Sequence, residues 1–408
     1  MTAPDPLLPA PSILQATLRK ITERLAGELA CPGTAAPDWS ELEWTIARAV
    51  AAMHGVSPLL ARILRWQGPA DWVRFLYDQR SHTAKRHARL AELLQLIDRG
   101  ARERGVAAVA LKGVALHALG LYQAGDRPMA DIDLLVRPAD AARTAQMLES
   151  LGLFETLSTW RERVFTPISD HIAGGLGENS HNHLKVELHV RIGERLPWRI
   201  TETTELVFPR NAQPGLNPYH SRASLMMHLL LHAAGAMSIK SLRLMHLHDL
   251  ALLSSLMRQQ DWDEIRDRGL WWAYPPLSLT SRYYPASIPP RVLAALADGC
   301  SRLLRTLSAR RTLYEVSHSY LWVDAFPGLE WSQSLREVFE FAANRLRPSA
   351  EHIAAREHAA RTREVPDHTG WSRLSQGRRI LRWITSRPTR PLIIQAISAA
   401  VAQAQHPH

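Results

Sequence analysis

The sequence predicts an α+β fold, a small mixed β-sheet core set between N-terminal and C-terminal helical regions. Apolar residues recur at helical spacing through the first hundred positions and again from about residue 218. Between them, the runs Val106–Leu111, Asp131–Val136 and Leu184–Ile192 are apolar or alternate apolar with polar, as strands do. With 408 residues, of which 46% are hydrophobic and 22% charged, the chain can bury a sizeable core. Four regions are expected: 1–104 helical, 105–215 the sheet-bearing core, 216–347 helical, and 348–408 a basic tail with a terminal helix.

In order, helices are expected over 11–29, 39–54, 57–66, 69–77 and 81–103, the last with Leu90, Leu93, Leu94 and Ile97 on one face. After Gly105 the pattern switches to a buried strand at 106–111, a short helix over 114–121, a second strand at 131–136 and a helix opened by Pro138-Ala-Asp140 that runs to Ser150. Arg163–Ile168 and Leu184–Ile192 read as further strands, flanking a glycine-rich loop at 174–180 suited to a lid or substrate loop. Helices follow over 221–236, 239–258 and 262–272. The five prolines between Tyr274 and Pro290 predict a packed connector, and helices resume over 291–307, 313–323 and 331–345. Residues 348–379 are polar and basic. The terminal stretch 391–405 falls short of the roughly 20 apolar residues that span a bilayer and is expected to pack on the domain, with an amphipathic surface helix as the alternative.

Lys and Arg outnumber Asp and Glu by 10 and the isoelectric point is about 10.0, which biases the chain toward anionic partners such as nucleotides, RNA or acidic lipid. Two cysteines, Cys31 and Cys300, are too few for a disulfide framework or thiolate metal site and fit a reducing compartment. The first residues lack a basic start and an apolar stretch, so a cytoplasmic protein without integral membrane association is expected. The 13 tryptophans are scattered through apolar stretches and read as core.

The chemistry concentrates at Asp131-Ile-Asp133. Alternation puts Asp131 and Asp133 on one strand face, and two such carboxylates suit a hard divalent cation that also binds substrate phosphates. Aspartate is depleted in strands, so solvated edge residues are the weaker explanation. Along Lys185–Arg191, Glu187, His189 and Arg191 share a face, which makes Glu187 the third carboxylate. His189 is a candidate for metal binding, proton transfer or phosphate contact. Lys112-Gly113 sits one strand-helix unit before the aspartates, where glycine lets backbone N–H groups approach a triphosphate and lysine adds charge. Arg127 is placed either to neutralise a phosphate or to tie down its loop.

Taken in order, Leu111-Lys112-Gly113, Leu121-Tyr122, Arg127-Pro-Met-Ala-Asp131-Ile-Asp133-Leu-Leu-Val136 and Val186-Glu187-Leu-His189 resemble the uncharacterised bacterial nucleotidyltransferases of the DNA polymerase beta-like superfamily. The helical stretches holding His228, His232, Arg243 and Asp249 are similar to that family's second domain, and the resemblance spans roughly 40–345. It implies a phosphorus-group transferase with Asp131, Asp133 and Glu187 as catalytic and metal ligands, and Lys112, Gly113, Arg127 and His189 at the nucleotide. The implied cofactor is Mg²⁺, with Mn²⁺ an alternative, and the donor a nucleoside triphosphate such as ATP. Val114 stands where the superfamily has serine, and 18 positions separate Gly113 from Asp131, features of a divergent branch. The acceptor is open among protein, peptide natural product, RNA and small molecule. Two rivals remain: metal-dependent glycosyl transfer from a nucleotide sugar to a phosphorylated peptide or other acceptor, and non-enzymatic binding of RNA or an acidic partner. His228 and His232, spaced i, i+4 without a following glutamate, read as core-flanking histidines, and Asp249 as a partner for Arg243 or a histidine.

Overall fold

The strand Asp131–Val136 is buried along its length after Asp131, which requires cover on both faces. The computed structural model, which describes residues 8–168, 176–348, 353 and 374–405, supplies that cover with helices. The N-terminal helices are α1 (Pro11–Ala30), α2 (Glu41–Met53), α3 (Ser57–Ile63) and α4 (Ala70–Glu103). Where two helices were expected around 69–103 there is one, about 50 Å long, because Asp78-Gln-Arg80 contains no breaker. The middle of the chain forms β1 (Ala107–Ala110), α5 (Gly113–Ala118), β2 (Asp131–Val136), α6 (Ala141–Ser150), β3 (Leu153–Ser158), β4 (Glu162–Pro167), β5 (Lys185–His189), β6 (Gly193–Arg195), β7 (Ile200–Glu202), α7 (Thr204–Val207) and β8 (Gly215–Asn217).

Six of these strands make one mixed sheet in the order β3-β4-β5-β2-β1-β8, and β6 and β7 form a separate hairpin. The central pair β2 and β5 is parallel, with Asp133 opposite Glu187, and β1 runs antiparallel to β2. Strand alternation decides which side each residue serves. Ile132, Leu134, Val136, Val186 and Leu188 pack with Leu90, Ile97 and Leu148 of α4 and α6, whereas Asp131, Asp133, Glu187 and His189 point to the opposite face. Strands β3, β6, β7 and β8 escape the pattern because they are short or carry polar residues, as in Gly215-Leu-Asn217 beside β1.

The other face is covered by α8 (Arg222–Ser238) and α9 (Leu244–Ser254). Helix α8 is buried almost all round, the signature of a central helix. The expected helix over 239–258 starts late, at Leu244, because Lys240 turns the chain with a positive φ of 55°. Then come α10 (Gln259–Asp267), α11 (Tyr274–Tyr283), α12 (Pro290–Asp298), α13 (Arg302–Arg310), α14 (Leu313–Val316) and α15 (Leu335–Leu346). The proline-rich stretch opens as helix, contrary to expectation, since Pro275 and Pro276 sit in the first turn, where a missing N–H costs nothing. The helix expected over 291–307 is two, divided where Ser301 caps α13. Finally, α16 (Gln376–Thr385) and α17 (Pro391–Gln405) close the chain, and Ile393, Ile397 and Ala400 of α17 are buried in the helical core alongside Ile46 and Val50 of α2. Of the glycine-rich loop and the basic region, residues 169–175 and most of 349–373 lie outside the described residues. Among the described residues no helix is long and apolar enough to cross a membrane.

The N-terminal and C-terminal helices share one apolar core, and a buried polar network stitches them. The His54 imidazole accepts from the Leu244 N–H at 2.9 Å through Nδ1 and bonds the Ser319 hydroxyl at 3.0 Å through Nε2. Ser319 also meets Thr22 and Ser317, each at 2.8 Å. Burial, aided by the Arg243 charge, pushes His54 down to about 3. The folded chain therefore keeps the imidazole neutral while the unfolded chain protonates it below its ordinary value of 6.5. Stability linked to His54 is full above pH 6.5 and falls by about 1.4 kcal/mol per pH unit from there toward pH 3. The urea midpoint is expected to drop between pH 7.5 and 5, with a shallower slope in His54→Gln; an unchanged slope in that variant would refute the assignment.

Candidate active site

The parallel register of β2 and β5 sets Asp133 beside Glu187, and His189 lies one period further along the same face. Ligand-capable atoms of Asp133, Glu187 and His189 all fall within 4.8 Å of one another. The expected trio was Asp131, Asp133 and Glu187. Asp131 instead sits at the mouth, hydrogen-bonded to Glu187, while His189 takes the inner place. Asp133 Oδ1 is the hub: it accepts from Lys112 Nζ at 2.8 Å and contacts His189 Nε2 at 3.0 Å.

These charges decide the protonation of the group. Burial would raise the Asp133 carboxyl, yet Lys112 and His189 overcome it and hold it well below the usual range. Burial and the neighbouring Asp131 and Asp133 push Glu187 up to about 9. Burial and Asp133 also raise Asp131. Glu187 therefore carries a proton near neutral pH and donates it to Asp131. Burial would lower the Lys112 ammonium, but Asp133 and Asp131 keep it charged, at about 12. Two carboxylates crowded until one must hold a proton form a site that a divalent cation would relieve.

Lys112 is held in an unusual backbone conformation, φ 47° and ψ −114°, which costs a non-glycine residue on the order of 1–3 kcal/mol. Its N–H donates to Tyr219 Oη at 3.1 Å, and that hydroxyl meets His228 Nδ1 at 2.7 Å. His228 is thus a buried support, as its sequence context implied. Gly113 has its own constraint: a methyl there would strike the Arg127 guanidinium and Met129.

The carboxylates open into a cleft of about 360 Å³ whose opposite wall comes from α8, the α8–α9 turn and His318. Arg127 reaches the cleft edge but is held by Asp249, Nε to Oδ1 at 2.9 Å and Nη2 to Oδ2 at 2.8 Å, while Tyr122 Oη donates to the same carboxylate at 2.6 Å. Asp249 was expected to pair with Arg243 or a histidine; its position on the inner face of α9 aims it at the 121–127 loop instead. The pattern also missed Arg161, the Arg243 and His246 pair at the start of α9, and His318, which line the cleft from three segments distant in the chain. No local spacing marks them. His232 lines it as well, 3.4 Å from Glu194, and stacks edge-on with His246. His228 Nδ1 is committed to Tyr219, and neither His228 nor His232 belongs to the metal-capable group found among the described residues. Arg191, expected on the carboxylate face, lies beyond the end of β5 and is exposed.

The donor set fits a divalent cation. The carboxylates suit Mg²⁺ and Mn²⁺ alike, and the imidazole is a ligand more usual for a transition metal than for Mg²⁺. The family model described as uncharacterised nucleotidyltransferase matches residues 40–271, more than half of the chain. No curated protein and no solved structure matches it.

Proposed function

Since the chain belongs to the uncharacterised nucleotidyltransferase family, we propose that it transfers a nucleotidyl group from a nucleoside triphosphate to an acceptor hydroxyl or similar nucleophile, using Mg²⁺ or Mn²⁺. The observation that carries this is the grouping of Asp133, Glu187 and His189, with Asp131 beside them, on the cleft-facing side of paired strands. Asp131, Asp133, Glu187 and His189 would hold the cation, whose role when bound is to neutralise phosphate charge. In the transfer, the acceptor oxygen bonds the α-phosphorus, the α–β phosphoanhydride bond breaks, and pyrophosphate leaves with the electron pair. Glu187 would complete the metal shell or take the acceptor's proton, the two roles open to a third carboxylate. Lys112 holds Asp133 in its orientation, and Gly113 with Arg127 would shape the wall for the leaving phosphates.

The test is pyrophosphate release with each nucleoside triphosphate, with Mg²⁺ or Mn²⁺, against candidate acceptor peptides, RNA and small molecules. Release that disappears on chelation is expected. Val114, which offers no hydroxyl where the superfamily has serine, favours keeping a nucleotide sugar as the second donor. Nucleoside diphosphate release from UDP-sugars, with no pyrophosphate from any triphosphate, would replace the first reading with that one. Salt-sensitive RNA binding without nucleotide affinity would overturn both.

A further inference from the structure

Four cationic side chains line the cleft, and three already have their charge matched. Lys112 is paired with Asp133, Arg127 with Asp249, and Arg161 with Glu162 and Glu194. Arg243 is the exception: it is exposed at the cleft and has no carboxylate within ion-pair distance among the described residues, and desolvation by the surrounding protein lowers its guanidinium by more than the distant Asp131 and Glu178 raise it.

Its position makes the lack of a partner more telling. Arg243 is the N-cap of α9, where the helix dipole disfavours a cation. The helix start offers it no partner, because backbone N–H groups are donors like the guanidinium itself, and the first of them are committed elsewhere. Leu244 N–H goes to His54 Nδ1, Met245 N–H to the His54 carbonyl and His246 N–H to the Arg243 carbonyl. An anion in the cleft would therefore meet the guanidinium and not the helix amides. The three histidines of the same wall add no charge, since burial holds His232 and His246 well below 6.5 and His318 at about 3.

A nucleoside triphosphate brings more negative charge than one divalent cation neutralises, and a planar guanidinium can grip phosphate oxygens in bidentate fashion. We propose that Arg243 binds the polyphosphate of the donor nucleotide, opposite the carboxylates of β2 and β5. This rests on the nucleotidyl-transfer reading and names the residue that selects for phosphate number, a role that paired Lys112 and Arg127 are less free to play.

Calorimetric titration of the full chain in Mg²⁺ with ATP, ADP, AMP and inorganic tripolyphosphate tests it without turnover. Arg243→Gln is expected to weaken ATP and tripolyphosphate by about 10- to 100-fold and AMP by only about 3-fold or less, with Arg243→Lys intermediate. Because the side chain is exposed, circular dichroism should match the parent. Equal ATP affinity in parent and Arg243→Gln, or an equal loss for AMP and ATP, would overturn the role of Arg243 while leaving the nucleotide reading standing. A parent chain that binds none of the four would overturn both.

Discussion

Asp133→Asn is expected to lower turnover by on the order of 10²–10³-fold while leaving the chain folded. Asp133 is the one carboxylate in the group that touches both a cation and the imidazole, through Lys112 Nζ and His189 Nε2. Asparagine keeps the shape and loses the charge. Stranding a buried ammonium ordinarily costs about 3–5 kcal/mol, but here a substitute is at hand. Removing the Asp133 charge relieves one of the pressures that keep Glu187 protonated, so Glu187 can ionise and restore the local balance. The melting temperature should therefore move by a few degrees while pyrophosphate release collapses, measured on matched samples with saturating nucleotide and metal. Turnover within a few-fold of the parent would remove Asp133 from the mechanism.

Asp249→Ala should have the largest effect on stability. The Arg127 side chain is 11% exposed and that of Asp249 2%, so truncating the acid leaves a guanidinium with little access to water. A cost of about 3–5 kcal/mol is expected, with Tyr122 Oη also losing its acceptor. Replacing the whole group by apolar residues, Arg127→Met with Asp249→Leu and Tyr122→Phe, should recover most of the loss, because desolvation of the pair is then no longer needed. Denaturation midpoints of the single and combined variants decide this. A cost below about 1 kcal/mol for Asp249→Ala would mean that the pair is not buried as described.

The two short motifs that carry the candidate site were readable because a strand's alternation is local. Asp131 and Asp133 had to share a face, and so did Glu187 and His189, whatever the rest of the chain did. That β2 and β5 would be neighbours in parallel register, with Asp133 against Glu187, was a matter of tertiary pairing. Leu90 and Ile97 announce α4 by their spacing, and Asp78-Gln-Arg80, which holds no breaker, carries the helix on where two were expected. The strand Gly215–Asn217 is too short to show a pattern and exists because the edge of β1 accepts it.

What the sequence determined by itself is the class of fold, the pair of acidic strands and the family, since each follows from residue order within a few positions. What only the tertiary structure decided is which charges are already matched. Arg127 and Asp249 lie more than a hundred residues apart, as do Asp131 and Arg243, and a Coulomb interaction depends on distance in space and not along the chain. From sequence, Arg127 stood beside a phosphate site, and Arg243 stood only in the helical second domain as a partner for Asp249. Folding commits the first to a buried carboxylate and leaves the second facing the cleft.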